Sequence, residues 1–179
     1  MVHWLRTNTV ARWILTIVRV YVGWQWVSAG FEKVSSASWT GAQAGSAISG
    51  FLKHAVSLSQ GAHPAVQGWY AGFLNALVIP GSGFFSYLVA WGEFLVGVAL
   101  ILGVFTTFSA LMGAVMNMAY LLAGTTSTNP NLLLLEVFIL VGGFNAALYG
   151  LDYWVMPRFR KLLHYEVELP SATSTKRHA

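Results

Sequence analysis

Hydrophobic positions along the chain gather into long runs at 13–31, 84–103, 105–123 and 132–150, separated by stretches rich in Gly, Pro and Ser. Each run is close to the ~20 residues that a helix needs to cross a ~30 Å hydrocarbon layer. The pattern predicts an all-α membrane protein, a four-helix transmembrane bundle. Between the first and second runs, apolar stretches at 41–56 and 64–79 predict two short interfacial or re-entrant helices. Pro64 suits a helix start, and Pro80 with Gly81 and Gly83 suits a stop before the second span. The spacing of Gly41, Gly45 and Gly50 offers a small-residue face for close helix contact. The connection near 103–107 is too short for anything but an antiparallel hairpin, so neighbouring helices pack side by side. Arg19, Trp24 and Trp26 interrupt the first run and Glu32 and Lys33 follow it, a pattern that fits a retained span better than a cleaved leader.

Composition strengthens the membrane reading, because 56% of the residues are hydrophobic and 9% charged, against roughly 25% charged in a soluble domain. The net charge of +4 does not point to nucleic acid. Its carriers sit at the two ends: Arg6 and Arg12 before the first run, and Arg158, Arg160, Lys161, Lys176 and Arg177 after the last. Lys and Arg flanking spans mark the cytoplasmic side, so the expectation is a multi-pass protein of the cell membrane with both termini cytoplasmic. The membrane domain then covers 1–157 and a cytoplasmic basic tail covers 158–179. The polar part of the tail from Glu166 is expected to be disordered and drawn to anionic headgroups.

The chain has no cysteine, which excludes a disulfide, an iron–sulfur cluster, a c-type haem and a thiol nucleophile. His3, His164 and His178 lie in the termini and His54 and His63 in the external segment, so no pair of histidines within spans is available for haem, and no ligand cluster for a metal. No phosphate loop, nucleophile elbow or dinucleotide fingerprint is present. Trp4, Trp13, Trp39, Trp69, Tyr153 and Trp154 fall near predicted helix ends, as an aromatic belt does. Trp24, Trp26 and Trp91 sit deeper.

Candidate chemistry rests on single ionisable residues inside apolar runs: Arg19, Glu93 and Glu136. Such a charge costs several kcal/mol unless it meets a partner, so it faces a bundle interior. Counting ~1.5 Å per residue puts Arg19 about 10 Å and Glu93 about 16 Å above the inner boundary, which predicts an Arg19–Glu93 contact with Asn117 beside it. Lys33 with Glu136 is the expected second pair, nearer the outer face, with Gln25 between the two levels. Gly23, Gly97 and Gly113 each stand four residues from one of these polar groups, on the same helix face. Two roles fit the cluster. The pairs can fix helix register. Alternatively they line a pocket for a quinone headgroup, a proton or a small polar substrate. In that pocket Glu93 and Arg19 are the candidate catalytic groups, Asn117 orients the ligand, and Trp24, Trp26 or Trp91 stack on its ring.

The segment RVYVGWQWVSAGFEKV from Arg19, the block WGEFLVGVALILGVFT from Trp91 and the block MNMAYLLAG from Met116 resemble the DoxX-like small membrane proteins, in particular the DoxD-like branch. GFL at Gly50, WYAGFL at Trp69 and the closing GLDYWVMP at Gly150 are similar to that branch as well. The resemblance implies a four-helix membrane bundle and an association with thiosulfate oxidation that delivers electrons to a membrane quinone. The chain would then be an integral subunit of a quinone-linked oxidoreductase of the thiosulfate dehydrogenase (quinone) type, with quinone as cofactor. Lacking a soluble domain and a cysteine, it would need a second oxidoreductase subunit or soluble redox partner. Two alternatives accompany this expectation: a noncatalytic membrane scaffold for a redox or oxidative-stress complex, and a transporter of protons or small solutes whose pore a homo-oligomer would supply.

Overall fold

A computed structural model describes residues 1–162. The expected disorder from Glu166 onward lies outside the described residues. Every regular element is helical: α1 (Val2–Thr7), α2 (Thr9–Val34), α3 (Ser46–Ser57), α4 (Gly68–Phe73) running into a π-helical turn (Leu74–Val78), α5 (Ser82–Leu102), α6 (Thr106–Leu122), α7 (Asn129–Gly142), α8 (Phe144–Ala147) and α9 (Asp152–Leu162). The described residues are thus all-α, as the apolar runs predict.

The runs do not all become full-length spans. Among the described residues, α5 is the helix both long and apolar enough to cross a membrane, with a mean hydropathy of 1.9. α6 and α7 are apolar but shorter, about 26 and 21 Å by the helical rise. α2 has the length, at 26 residues, but Arg12, Arg19, Gln25, Glu32 and Lys33 dilute its apolar character. The fourth run, expected as one helix over 132–150, is broken. Gly143 adopts φ 55° and ψ −131°, a conformation open to glycine, and α8 sets off from there.

Glycines decide how α2 and α5 meet. A Cβ on Gly30 would lie 2.3 Å from the Phe94 nitrogen, and one on Gly97 would lie 2.3 Å from the Val27 nitrogen. The two backbones touch, antiparallel, at positions where any side chain would force them apart. Around this seam Leu15, Val22, Trp26, Leu100, Ala110 and Ile139 form the core shared by α2, α5, α6 and α7.

The segment between α2 and α5 builds a second core of its own. Ile48, Leu52, Val66, Tyr70, Leu74 and Val78 pack together with Ala123 at the end of α6. Hydroxyls fasten it to the bundle: Ser86 donates to the Trp39 carbonyl at 2.6 Å, Tyr87 to that of Thr40 at 2.6 Å, and Tyr70 to that of Ala119 at 3.0 Å. Two local expectations fail here. Pro64 precedes a non-helical stretch and α4 starts only at Gly68. Gly41, Gly45 and Gly50 do not share a face: Gly41 lies before α3, Gly45 caps it with φ 94°, and a Cβ on Gly50 would meet nothing within 4 Å.

Candidate functional site

The seam sets which buried charges can meet. Gly30 lies against Glu93 and Phe94, so Lys33, one turn further along α2, reaches Glu93. Its ammonium stands 2.7 Å from Glu93 Oε2. On the other side the Tyr120 hydroxyl donates to Glu93 Oε1. Glu93 is 1% exposed, and at that depth a cation on one oxygen and a hydroxyl on the other satisfy the carboxylate's acceptors. Lys33 also lies over the Trp39 ring, 5.3 Å from its centroid.

These groups border a cavity of about 310 Å³ beneath the segment between α2 and α5, with Trp26, Trp39, Phe51 and Leu132 as apolar wall and Gln25, Thr125 and Asn129 as further polar lining. The volume is at the small end for a ligand site, and the combination of aromatic wall with a few convergent polar groups is the usual make-up of one.

Glu136 lies behind that wall. Its Oε1 accepts the Trp26 indole N–H at 2.7 Å and its Oε2 accepts from the Asn117 amide at 2.8 Å. A Cβ on Gly113 would fall 2.4 Å from Glu136 Oε1 and 3.0 Å from Trp26 Nε1, so the carboxylate and indole occupy space that only glycine leaves free. Trp26 therefore couples a buried carboxylate on one side to the cavity on the other.

Arg19 is elsewhere. It is 2% exposed and stands beside the turn after α5. A Cβ on Gly103 would lie 1.7 Å from Nη1, and one on Gly150 would lie 2.4 Å from it. Nη2 donates to the Tyr149 carbonyl at 3.3 Å, while Nε and Nη1 have no partner among the described residues. The position opposite the C-terminus of α5 favours a cation. Asp152 closes the same end: both carboxylate oxygens accept backbone N–H groups, from Phe105 and Thr106, at 2.7 Å.

Both expected pairings are thus corrected. Arg19 does not meet Glu93 and Lys33 does not meet Glu136; instead Lys33 takes Glu93, and Glu136 is held by neutral donors. Arg19 and Gly30 are eleven residues apart on α2, so about 16 Å of helix separates Arg19 from the level of Glu93. Counting depth from run ends assumed that the runs start level, whereas α2 extends well past the end of α5 on the Arg19 side. Asn117 belongs with Glu136, not with Arg19. Trp24 and Trp91 are 62% and 43% exposed and face outward; of the three deep tryptophans only Trp26 borders the cavity.

Two contributors escaped the sequence. Tyr120 follows Asn117 by three residues, a spacing that shares a helix face, and that spacing was its available signal. Asp152 caps a helix 46 positions earlier in the chain, which no local pattern announces. Among the described residues no group of three or more His, Cys, Asp or Glu side chains could hold a metal ion.

No curated protein and no solved structure matches the chain. A family model described as DoxX matches residues 14–126, which takes in α3, α4, α5, α6, nearly all of α2 and the Lys33–Glu93–Tyr120 cluster, and stops short of Glu136 and Asp152. With most of its length and the Lys33, Glu93 and Tyr120 side of its cavity inside that match, the chain belongs to the DoxX family.

Proposed function

We propose that this DoxX-family membrane protein is an integral subunit of a quinone-linked oxidoreductase, and that the cavity beside Lys33, Glu93 and Tyr120 receives the quinone headgroup. One observation carries the reading: an ion pair and a phenol converge on an apolar, aromatic-walled cavity. DoxX membership supports a role in membrane redox chemistry.

The donor set suits a neutral ring bearing carbonyl oxygens. Lys33 and Tyr120 are the N–H and O–H donors that would face a carbonyl, Glu93 holds both in place, and Trp26, Trp39 and Phe51 supply flat apolar walls. A bound quinone supplies the two-electron acceptor. Lys33 and Tyr120 would each donate one proton at its oxygens and be reprotonated from water, while Glu93, touching both, holds the two donors in position.

Charge argues against thiosulfate in the same place. Lys33 and Glu93 cancel, and the nearby Glu136 adds no cation, so a dianion would enter without compensation. The DoxD-like activity, if this chain takes part in it, places thiosulfate on a partner subunit and leaves quinone here. The reading further has α2, α5, α6 and the α7–α8 pair crossing the membrane together, with the end that gathers Arg6, Arg12, Arg158, Arg160 and Lys161 on the cytoplasmic side.

The test is to purify the chain with native lipid, extract it for quinone, and follow quinone reduction in membranes that contain the partner. Tyr120→Phe should lower reduction severalfold at a stability cost of about 1.5 kcal/mol, the loss of one donor to the buried Glu93 carboxylate. An extract free of quinone, with reduction indifferent to Tyr120→Phe, would instead favour the scaffold reading. The sealed Glu136–Trp26–Asn117 cluster, which resembles a register lock, is the observation on that side.

A further inference from the structure

The end of the bundle opposite the candidate site holds a second cavity, of about 510 Å³, between the start of α6, α8 and α9. Its apolar lining includes Phe108, Leu111 and Phe159. Phe108 is 62% and Phe159 41% exposed, which suits side chains that meet acyl chains and not water.

Polar groups at this cavity are few and differently committed. Asp152 has both oxygens engaged by backbone N–H groups at the start of α6. Thr106, fully buried, lines the cavity, and among the described residues its hydroxyl has no hydrogen-bond partner. Arg160 is half-buried, with its guanidinium 5.5 Å from the centre of the Phe144 ring. Among the described residues it has neither a carboxylate nor a carbonyl partner. Arg158 and Lys161 flank it, exposed.

We propose that this cavity binds an anionic phospholipid, with the phosphodiester against Arg160, the Thr106 hydroxyl as second donor, and an acyl chain along Phe108 and Leu111. Arginine matches a phosphate with parallel N–H donors. A basic pocket between helices at the cytoplasmic level is where such headgroups bind. Asp152 does not oppose the phosphate strongly, because the positive end of α6 faces its carboxylate and Arg19 lies within electrostatic reach. The inference needs only that this end meets the membrane, and is independent of what the other cavity holds.

Native mass spectrometry of the full chain, with phosphatidylglycerol or phosphatidylcholine of identical acyl chains added, tests it. Phosphatidylglycerol should be retained preferentially. Arg160→Gln should weaken that retention about tenfold and Thr106→Val about threefold, as loss of a charge-assisted and of a neutral hydrogen bond implies. Arg160→Lys should recover part of it, and Arg160→Gln should leave the melting temperature unchanged, since the side chain is not packed in the core. Equal retention of the two lipids, or indifference to Arg160→Gln, would overturn the proposal. Competition by inorganic phosphate at equal concentration would show that the cavity reads free phosphate, which overturns it as a lipid site.

Discussion

Lys33–Glu93 and Arg19 are both buried ionic features of the same helix pair, yet they are built for different ends. The first is an ion pair with a phenol, borders a cavity and reaches partial exposure through Lys33. The second is a lone guanidinium packed into glycine-lined space, with one carbonyl bond and an acidic neighbour that is busy capping α6. Burial and charge alone therefore do not identify a site in a membrane bundle. The space next to the charge, and the satisfaction of its hydrogen bonds, separates a group that can meet a ligand from one that ties helices together.

Mutations should break this comparison in a graded way. The largest effect falls at the tied end: Gly103→Ala sets a methyl where Arg19 Nη1 lies and requires a left-handed backbone at φ 67°, so about 3 kcal/mol of stability should be lost. Chemical denaturation in detergent measures it, and adding Arg19→Met should restore part of the loss by clearing the space. If the double variant is no better than the single one, guanidinium packing is not what the glycine serves.

At the cavity end, Lys33→Met strands a carboxylate that is almost fully buried, at a cost of about 3 kcal/mol. Lys33→Met with Glu93→Gln should recover most of it, seen as a raised melting temperature relative to the single variant. Trp26→Phe should cost less, about 1.5 kcal/mol, because Glu136 keeps its bond from Asn117 and loses only the indole donor. It should also weaken quinone retention, since Trp26 is cavity wall, and a variant that loses stability alone would confine Trp26 to the core.

The smallest effect is the sharpest test. A double-mutant cycle of Arg19→Met with Glu93→Gln should give a coupling below about 0.5 kcal/mol, because groups that far apart act independently. The cycle between Lys33 and Glu93 should give at least about 1 kcal/mol. A large Arg19–Glu93 coupling would restore the pairing that the helix register denies.

Helix content was legible because long apolar runs bounded by Gly and Pro have few other solutions, and α5 and α6 fall within two residues of the runs that predict them. Trp26, Glu93, Gln25, Asn117 and Glu136 were legible as polar or aromatic groups inside apolar runs, and Lys33 as a charge at the outer end of the first. Trp24 carried the same signal and faces outward, since two positions along a helix turn a side chain by more than half a circle.

By itself the sequence determined which segments are helical, which residues are too costly to leave among lipid tails, and which glycines stand near them, since these follow from local propensity and transfer energy. Only the tertiary structure decided which charge meets which. That choice depends on the axial offset between α2 and α5, which Gly30 and Gly97 set by letting two backbones touch, and an offset between helices is a property of no single segment.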